Sequence, residues 1–148
     1  MSSDTTEQLT GRISEAMRDV IADAVLTNER IARGIGLNVV DLQTFGVLLR
    51  ADAPLTAGEL STRTGLPTST TTRVVDRLEK AGFVARDADP ADRRKVLVHP
   101  LHERMADLTD QYGAIVEGLR LLHERFTRDE LEVVARYLEA MAAAPPAV

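Results

Sequence analysis

The sequence of 148 residues contains no cysteine, no tryptophan and only five aromatic residues, two tyrosines and three phenylalanines. Without thiols there is no disulfide framework, no thiolate metal site and no thiol redox sensor. So few aromatics argue against a single-strand nucleic-acid binder, which stacks bases on aromatic platforms. No apolar run approaches the ~18 residues of a membrane span. The opening Met1-Ser2-Ser3-Asp4-Thr5-Thr6-Glu7 is polar and acidic, unlike a signal peptide, so the expected location is cytoplasmic and no membrane partner is expected. Gly-rich phosphate loops, paired-histidine zinc motifs and nucleophile elbows are missing, which speaks against an enzyme. The three histidines, His99, His102 and His123, have no strong third ligand beside them, and a zinc site needs three or four, so neither a metal nor another cofactor is expected.

A basic surplus is missing too. The formal net charge is −5, whereas nucleic-acid-binding domains are usually basic. Position matters more than the sum. From Arg63 to Lys95 there are eight Lys or Arg against five Asp or Glu, a local +3 that leaves −8 for the remainder. This basic stretch coincides with the most patterned part of the chain.

Residues 56 to 99 read as one device. Thr56-Ala57-Gly58-Glu59 is a capping box that opens a short helix, with Leu60 on its buried face. Gly65 suits a left-handed C-cap and Pro67 suits the start of a new helix, which together make a helix-turn-helix corner. The second helix spans about Pro67 to Ala81, with Val74, Val75, Leu78 and Ala81 as its inward stripe and Gly82 as its terminator. Thr68, Ser69, Thr70, Thr71 and Thr72 are poor to middling helix formers, so placing them together at a helix start sacrifices local stability unless the hydroxyls serve a purpose. Arg73 and Arg77 follow one turn apart. Hydroxyls followed by arginines suit a helix inserted end-first into the DNA major groove, with Thr68, Ser69, Thr70 and Thr72 at base edges and phosphates and Arg73 and Arg77 behind them. Residues 83 to 86 and 95 to 99 alternate as two strands, and the loop between them projects Arg93, Arg94 and Lys95, as minor-groove contact requires.

The run LTAGELSTRTGLPTSTTTRVVDRLEKAGFVARDADPADRRKVLVHP resembles the winged helix-turn-helix of the multiple-antibiotic-resistance regulator (MarR) family, including its D-x-R wing motif, here Asp92-Arg93-Arg94. With the flanking helices the resemblance covers roughly residues 10 to 142. It implies that Arg94 enters the minor groove and that Asp92 orients it through a charge-assisted pair, with Arg93 on phosphate. It further implies a repressor released by a small lipophilic or phenolic effector. Family members that sense peroxide depend on cysteine, a chemistry closed to this chain. Where the family usually has Leu-Thr after the second wing strand, this chain has Pro100-Leu101, so the usual threonine cap is absent.

The flanks read as helices. Thr5-Thr6-Glu7-Gln8 caps a first helix whose stripe of Leu9, Ile13, Met17, Val20, Ile21, Ala24, Val25 and Ile31 ends at Gly34 and Gly36. About 28 residues of helix would span ~42 Å, long for a domain of this size, so part of its stripe is expected to meet another subunit, the alternative being cover within its own chain. A second helix begins at Asn38 or Asp41 and buries Val39, Leu42, Phe45, Leu48 and Leu49. Pro100 is placed in the first turn of a fifth helix carrying Leu101, Met105, Leu108, Tyr112, Ile115, Val116, Leu119 and Leu122. Thr127-Arg128-Asp129-Glu130 caps a last helix that Pro145-Pro146 stops.

The expected fold is mainly α with a small two-stranded β wing, a winged helix-turn-helix with long terminal helices forming a dimerisation layer. Residues 1 to 148 form a single domain, with dimerisation helices at about 5–34 and 101–143 and the winged helix-turn-helix at about 38–99. A two-fold dimer places two reading helices one DNA turn apart, ~34 Å, so the expected partners are a second copy of the chain and an inverted repeat in double-stranded DNA. The alternative is a winged-helix protein-interaction module without specific DNA binding, which the negative total charge favours and the four arginines oppose.

Overall fold

The computed structural model describes residues 5–143. By their contacts they fall into two compact units, the first ending at Gln111 and the second beginning at Tyr112.

Helix α1 (Thr6–Gly34) opens the first unit. Its Thr5 hydroxyl accepts from the Gln8 amide at 3.2 Å while the Gln8 side chain accepts from the Thr5 amide at 2.7 Å, closing the expected capping box. Along this helix Ile31 and Ala32 are buried, whereas Leu9, Ile13, Val20, Ile21, Val25 and Leu26 are exposed. Helix α2 (Val39–Leu49) is capped by Asn38, whose side chain accepts from the Asp41 amide at 3.0 Å. The predicted stripe needs correction here: Leu49 is exposed and Val39 half-buried, because Asp41 and Thr44 occupy buried positions on the inward face beside Leu42, Phe45 and Leu48.

Strand β1 (Leu55–Thr56) leads directly into α3 (Ala57–Thr64), whose Thr56–Glu59 capping box forms as predicted. The Thr56 bonds hold the Glu59 carboxyl below the usual range. Gly65, at φ 70°, ends α3 in the left-handed region and turns the chain into α4 (Thr68–Lys80). Pro67 stands just outside α4 as its N-cap, one position earlier than the sequence pattern placed it.

Strands β2 (Val84–Ala88) and β3 (Val96–Pro100) pair antiparallel from Val84↔Pro100 to Ala88↔Val96. The wing is three-stranded, in the order β1-β3-β2, because Leu55 and Thr56 pair with Val98 and Leu97. A two-residue strand carries too little periodicity to be read from sequence. Pro100 is likewise not in a helix: it closes β3 opposite Val84, and helical structure resumes as a 3-10 turn (His102–Arg104) leading into α5 (Met105–His123).

The core of this unit gathers where α2, α3, α4 and the sheet meet. Phe45 and Phe83 pack edge to face, with centroids 5.4 Å apart at 69°, beside Leu60, Val74, Val75, Leu78, Val84 and Val98, all essentially inaccessible. In the second unit α5 continues and α6 (Arg128–Ala143) follows. The Thr127 amide donates to Glu130 Oε2 at 2.8 Å, as the capping box predicts. Val116 and Leu119 on α5, and Val134, Leu138 and Met141 on α6, are exposed. The predicted Pro145-Pro146 stop lies outside the described residues.

Gly65→Ala is expected to cost about 1 kcal/mol, because a β-carbon is strained at positive φ. Urea unfolding followed by circular dichroism measures this; an unchanged midpoint would contradict the left-handed cap.

Candidate nucleic-acid interface

Helix α4 has two chemically distinct sides. Thr71, Val74, Val75 and Leu78, at spacings of three and four, are fully buried against the core. Thr71 therefore leaves the outward hydroxyl run: its side chain donates to the Pro67 carbonyl at 3.1 Å and packs inside. Thr68, Ser69, Thr72 and Arg73 are exposed. Thr72 donates back to the Thr68 carbonyl at 3.0 Å, and the Thr68 hydroxyl lies 3.5 Å from that of Ser61 on α3. Thr70 is half-buried and, with Arg77, borders a cleft of about 510 Å³ lined also by Arg33 of α1 and Asn38, Val39 and Val40 at the start of α2. The predicted hydroxyl and arginine set is thus divided between an outward face (Thr68, Ser69, Thr72, Arg73) and a flank (Thr70, Arg77).

Arg77 is held from inside the protein. Its Nε lies 3.1 Å from both carboxylate oxygens of Asp41, and its Nη2 donates to Oδ1 at 2.6 Å. Asp41 is 1% exposed, whereas the Arg77 side chain is 47% exposed. The Asp41 hydrogen bond raises the Arg77 pKa above its ordinary value. The same carboxylate accepts from the Asn38 amide at 3.3 Å, so one buried acid caps α2 and ties α4 to it. A buried carboxylate needs such a partner, and here it is satisfied.

A second tie was not visible in the sequence. Arg86 of β2 reaches back to α4, donating from Nη2 to Asp76 at 2.6 Å and from Nη1 to Glu79. Burial lowers the Arg86 pKa, but the bonds to Asp76 and Glu79 outweigh it and the net shift is upward. The spacing of Asp76 and Glu79, one turn apart on α4, was the available signal, but their partner comes from another element. This tie neutralises the acids on the outward side of α4. Among the described residues, Arg73, Lys80 and Arg93 have no acidic partner.

The turn of the wing is tightened by main-chain bonds from Lys95 to Asp92 at 2.8 Å and from Asp89 to Lys95 at 3.0 Å, which leaves a shorter loop than the eight residues expected. Asp92 accepts from the Arg94 amide at 3.2 Å and from Arg94 Nε at 3.1 Å, the pairing that the D-x-R motif implies. The bonds from the Arg94 side chain and backbone hold the Asp92 carboxyl below its ordinary value. This tie is therefore intact above the ordinary carboxylate range and is lost only as pH falls through the lowered value. The Arg94 side chain is 92% exposed. At the base of the wing His99 Nε2 pairs with Asp87 Oδ2 at 2.5 Å. Among the described residues no three His, Asp or Glu side chains gather as a metal site, and no helix is long and apolar enough to cross a membrane.

A helix, a turn, a second helix with an outward polar face, and a β-ribbon with a basic tip define a winged helix-turn-helix. The MarR family model matches residues 35–95. The uncharacterised HTH-type transcriptional regulator YcgE of Bacillus subtilis (strain 168) is 40% identical over 114 residues, covering 77% of this chain and 73% of YcgE. A MarR family protein from Bacillus stearothermophilus has a similar structure, with a TM-score of 0.72 and 25% identity over 94% of this chain and 96% of that one. A mutant of S. aureus MepR, solved bound to an oligodeoxyribonucleotide, shares the fold at a TM-score of 0.63 and 15% identity, over 88% of this chain and 96% of that one. This chain belongs to the MarR family, a family of DNA-binding transcriptional regulators and not of enzymes.

Arg77→Ala and Arg73→Ala should separate fold from contact. Loss of Arg77 leaves Asp41 uncompensated and is expected to cost about 1–3 kcal/mol of stability, below the figure for a fully buried pair because Arg77 is half exposed. Arg73→Ala is expected to leave stability within about 0.5 kcal/mol. Equal unfolding midpoints for the two variants would contradict the role given to Asp41.

Proposed function

We propose that the chain is a homodimeric, sequence-specific regulator that binds an inverted repeat in double-stranded DNA and acts as a repressor released by a small effector. The observation that carries the reading is the placement of Thr68, Ser69, Thr72 and Arg73 on the outward face of α4, on the same winged helix whose wing extends Arg94 into solvent. In this reading the hydroxyls meet base edges and nearby phosphates, and Arg73 meets a base or phosphate. Thr70 and Arg77 contact the groove wall from the flank of α4. Arg94, steadied by Asp92, enters the minor groove, and Arg93 neutralises phosphate.

The dimer is supported by apolar surface that one copy leaves uncovered. Val20, Ile21, Val25 and Leu26 of α1, Val116 and Leu119 of α5, and Val134 and Leu138 of α6 are all exposed. Isolated exposed apolar residues are ordinary, but repeated rows of them on three helices fit a partner surface. A second copy is the simplest partner, since two-fold closure presents two reading heads. The effector, a small lipophilic or phenolic molecule, follows from the family alone; it would act by favouring one of two head separations. The cytoplasm is the compartment where such a protein meets DNA. A protein-interaction module remains the competing reading, favoured by the net charge of −5.

Arg94→Ala is expected to weaken operator binding by more than ~1 kcal/mol while the dimer, followed by sedimentation velocity, persists. Unchanged affinity at fixed salt would remove the wing from the contact. A monomer at micromolar concentration would remove the two-headed arrangement and with it the inverted repeat.

A further inference from the structure

The joint between the wing and α5 lacks the side-chain cap that usually starts such a helix: Leu101 stands at the N-cap position and makes no side-chain cap bond. The backbone there is held to the end of the α4 connection, since the Leu101 amide donates to the Phe83 carbonyl at 2.8 Å. The strongest set of contacts at the joint belongs to Arg104. Its Nη1 donates to the carbonyl of Ala81, the C-cap of α4, at 2.8 Å. Its Nε donates to Asp107 Oδ2 in the first turn of α5 at 2.6 Å. Its guanidinium carbon stands 4.6 Å from the centre of the Phe83 ring, which is fully buried and meets Phe45 edge to face.

We infer that Arg104 is a positioning residue for DNA reading, locking the C-terminal end of α4 to the start of α5 and so fixing the tilt at which α4 meets the groove. The inference rests on the DNA-reading role proposed above. Three features of the guanidinium make the lock. A cation beside the last carbonyls of a helix is favoured by their partial negative charge. A flat cation over an aromatic face is attracted to it. A planar group can stack and donate in two directions at once, which an ammonium cannot. The other two ties on α4, from Asp41 and from Arg86, join it to α2 and to the wing. Arg104, in the 3-10 turn that leads into α5, bonds both the end of α4 and Asp107 in the first turn of α5, so a shift in that turn is passed to the reading helix through this side chain.

If α4 loses this restraint, its phosphate attraction survives, because that attraction depends on charge near the duplex. Its base contacts suffer, because they depend on register. The test titrates wild type, Arg104→Leu, Arg104→Lys and Asp107→Asn against operator and scrambled duplexes by fluorescence anisotropy, well below each unfolding midpoint, together with amide exchange across residues 78 to 83. Arg104→Leu is expected to lose about tenfold in operator affinity, the worth of one base contact, while affinity for the scrambled duplex stays within about twofold. Arg104→Lys keeps the charge but not the flat face and is expected to recover only part of that loss; Asp107→Asn, a near-isosteric change at a half-buried side chain that should not prevent folding, is expected to move in the same direction. Exchange at residues 78 to 83 should quicken in all three variants. An unchanged ratio of operator to scrambled affinity in Arg104→Lys and Asp107→Asn would overturn the inference and leave Arg104 a stabilising residue only. If wild type itself does not discriminate between the duplexes, the DNA-reading proposal fails. In that case exchange alone judges the lock, and unchanged protection at residues 78 to 83 would overturn it.

Discussion

Burial of one side of α4 is the constraint on which the rest of the first unit depends. Thr71, Val74, Val75 and Leu78 are sealed from water by α2, α3 and the sheet. Each apolar side chain so buried is worth about 1.5–3 kcal/mol relative to exposure. With that side fixed, helical geometry leaves Ser69, Thr72 and Arg73 no direction but outward. The weak helix formers at the start of α4 are tolerated because tertiary packing, not propensity, holds the helix.

Charge is divided by the same logic. Arg77 and Arg86 compensate acids that would otherwise be unpaired or would repel a polyanion beside α4: the buried Asp41 in one case, the outward Asp76 and Glu79 in the other. Arg104 serves a helix end and an aromatic ring. Among the described residues Arg73 and Arg93 are left without acidic partners, and the Arg94 side chain, paired along its own turn with Asp92, remains almost wholly in solvent. A chain with an acidic total can in this way present a locally basic face, and local potential is what a duplex meets.

Local signals in the sequence translated well. The capping boxes at Thr5, Thr56 and Thr127 and the glycine turn at Gly65 are short-range chemistry, and each appears in the structure. The stripe of Val74, Val75 and Leu78 was readable because helical spacing repeats it. Long-range pairings were not readable. Nothing beside Asp41 announces that Arg77, 36 positions later, will meet it, and nothing around Arg86 or Arg104 names Asp76 or Ala81. The third strand was missed because two residues carry no period. The fate of Pro100 was missed because a proline suits the edge of a strand as well as the start of a helix.

The central claim is that α4 and the wing together read duplex DNA. It is tested most directly by titrating the purified wild-type protein against the intergenic DNA beside its own gene, with a scrambled duplex as control, over a series of salt concentrations. The account predicts tighter binding to the intergenic duplex and a logarithmic salt slope of about −0.9 for each phosphate neutralised. Absence of binding to any duplex at low salt would contradict it and favour a protein-interaction module.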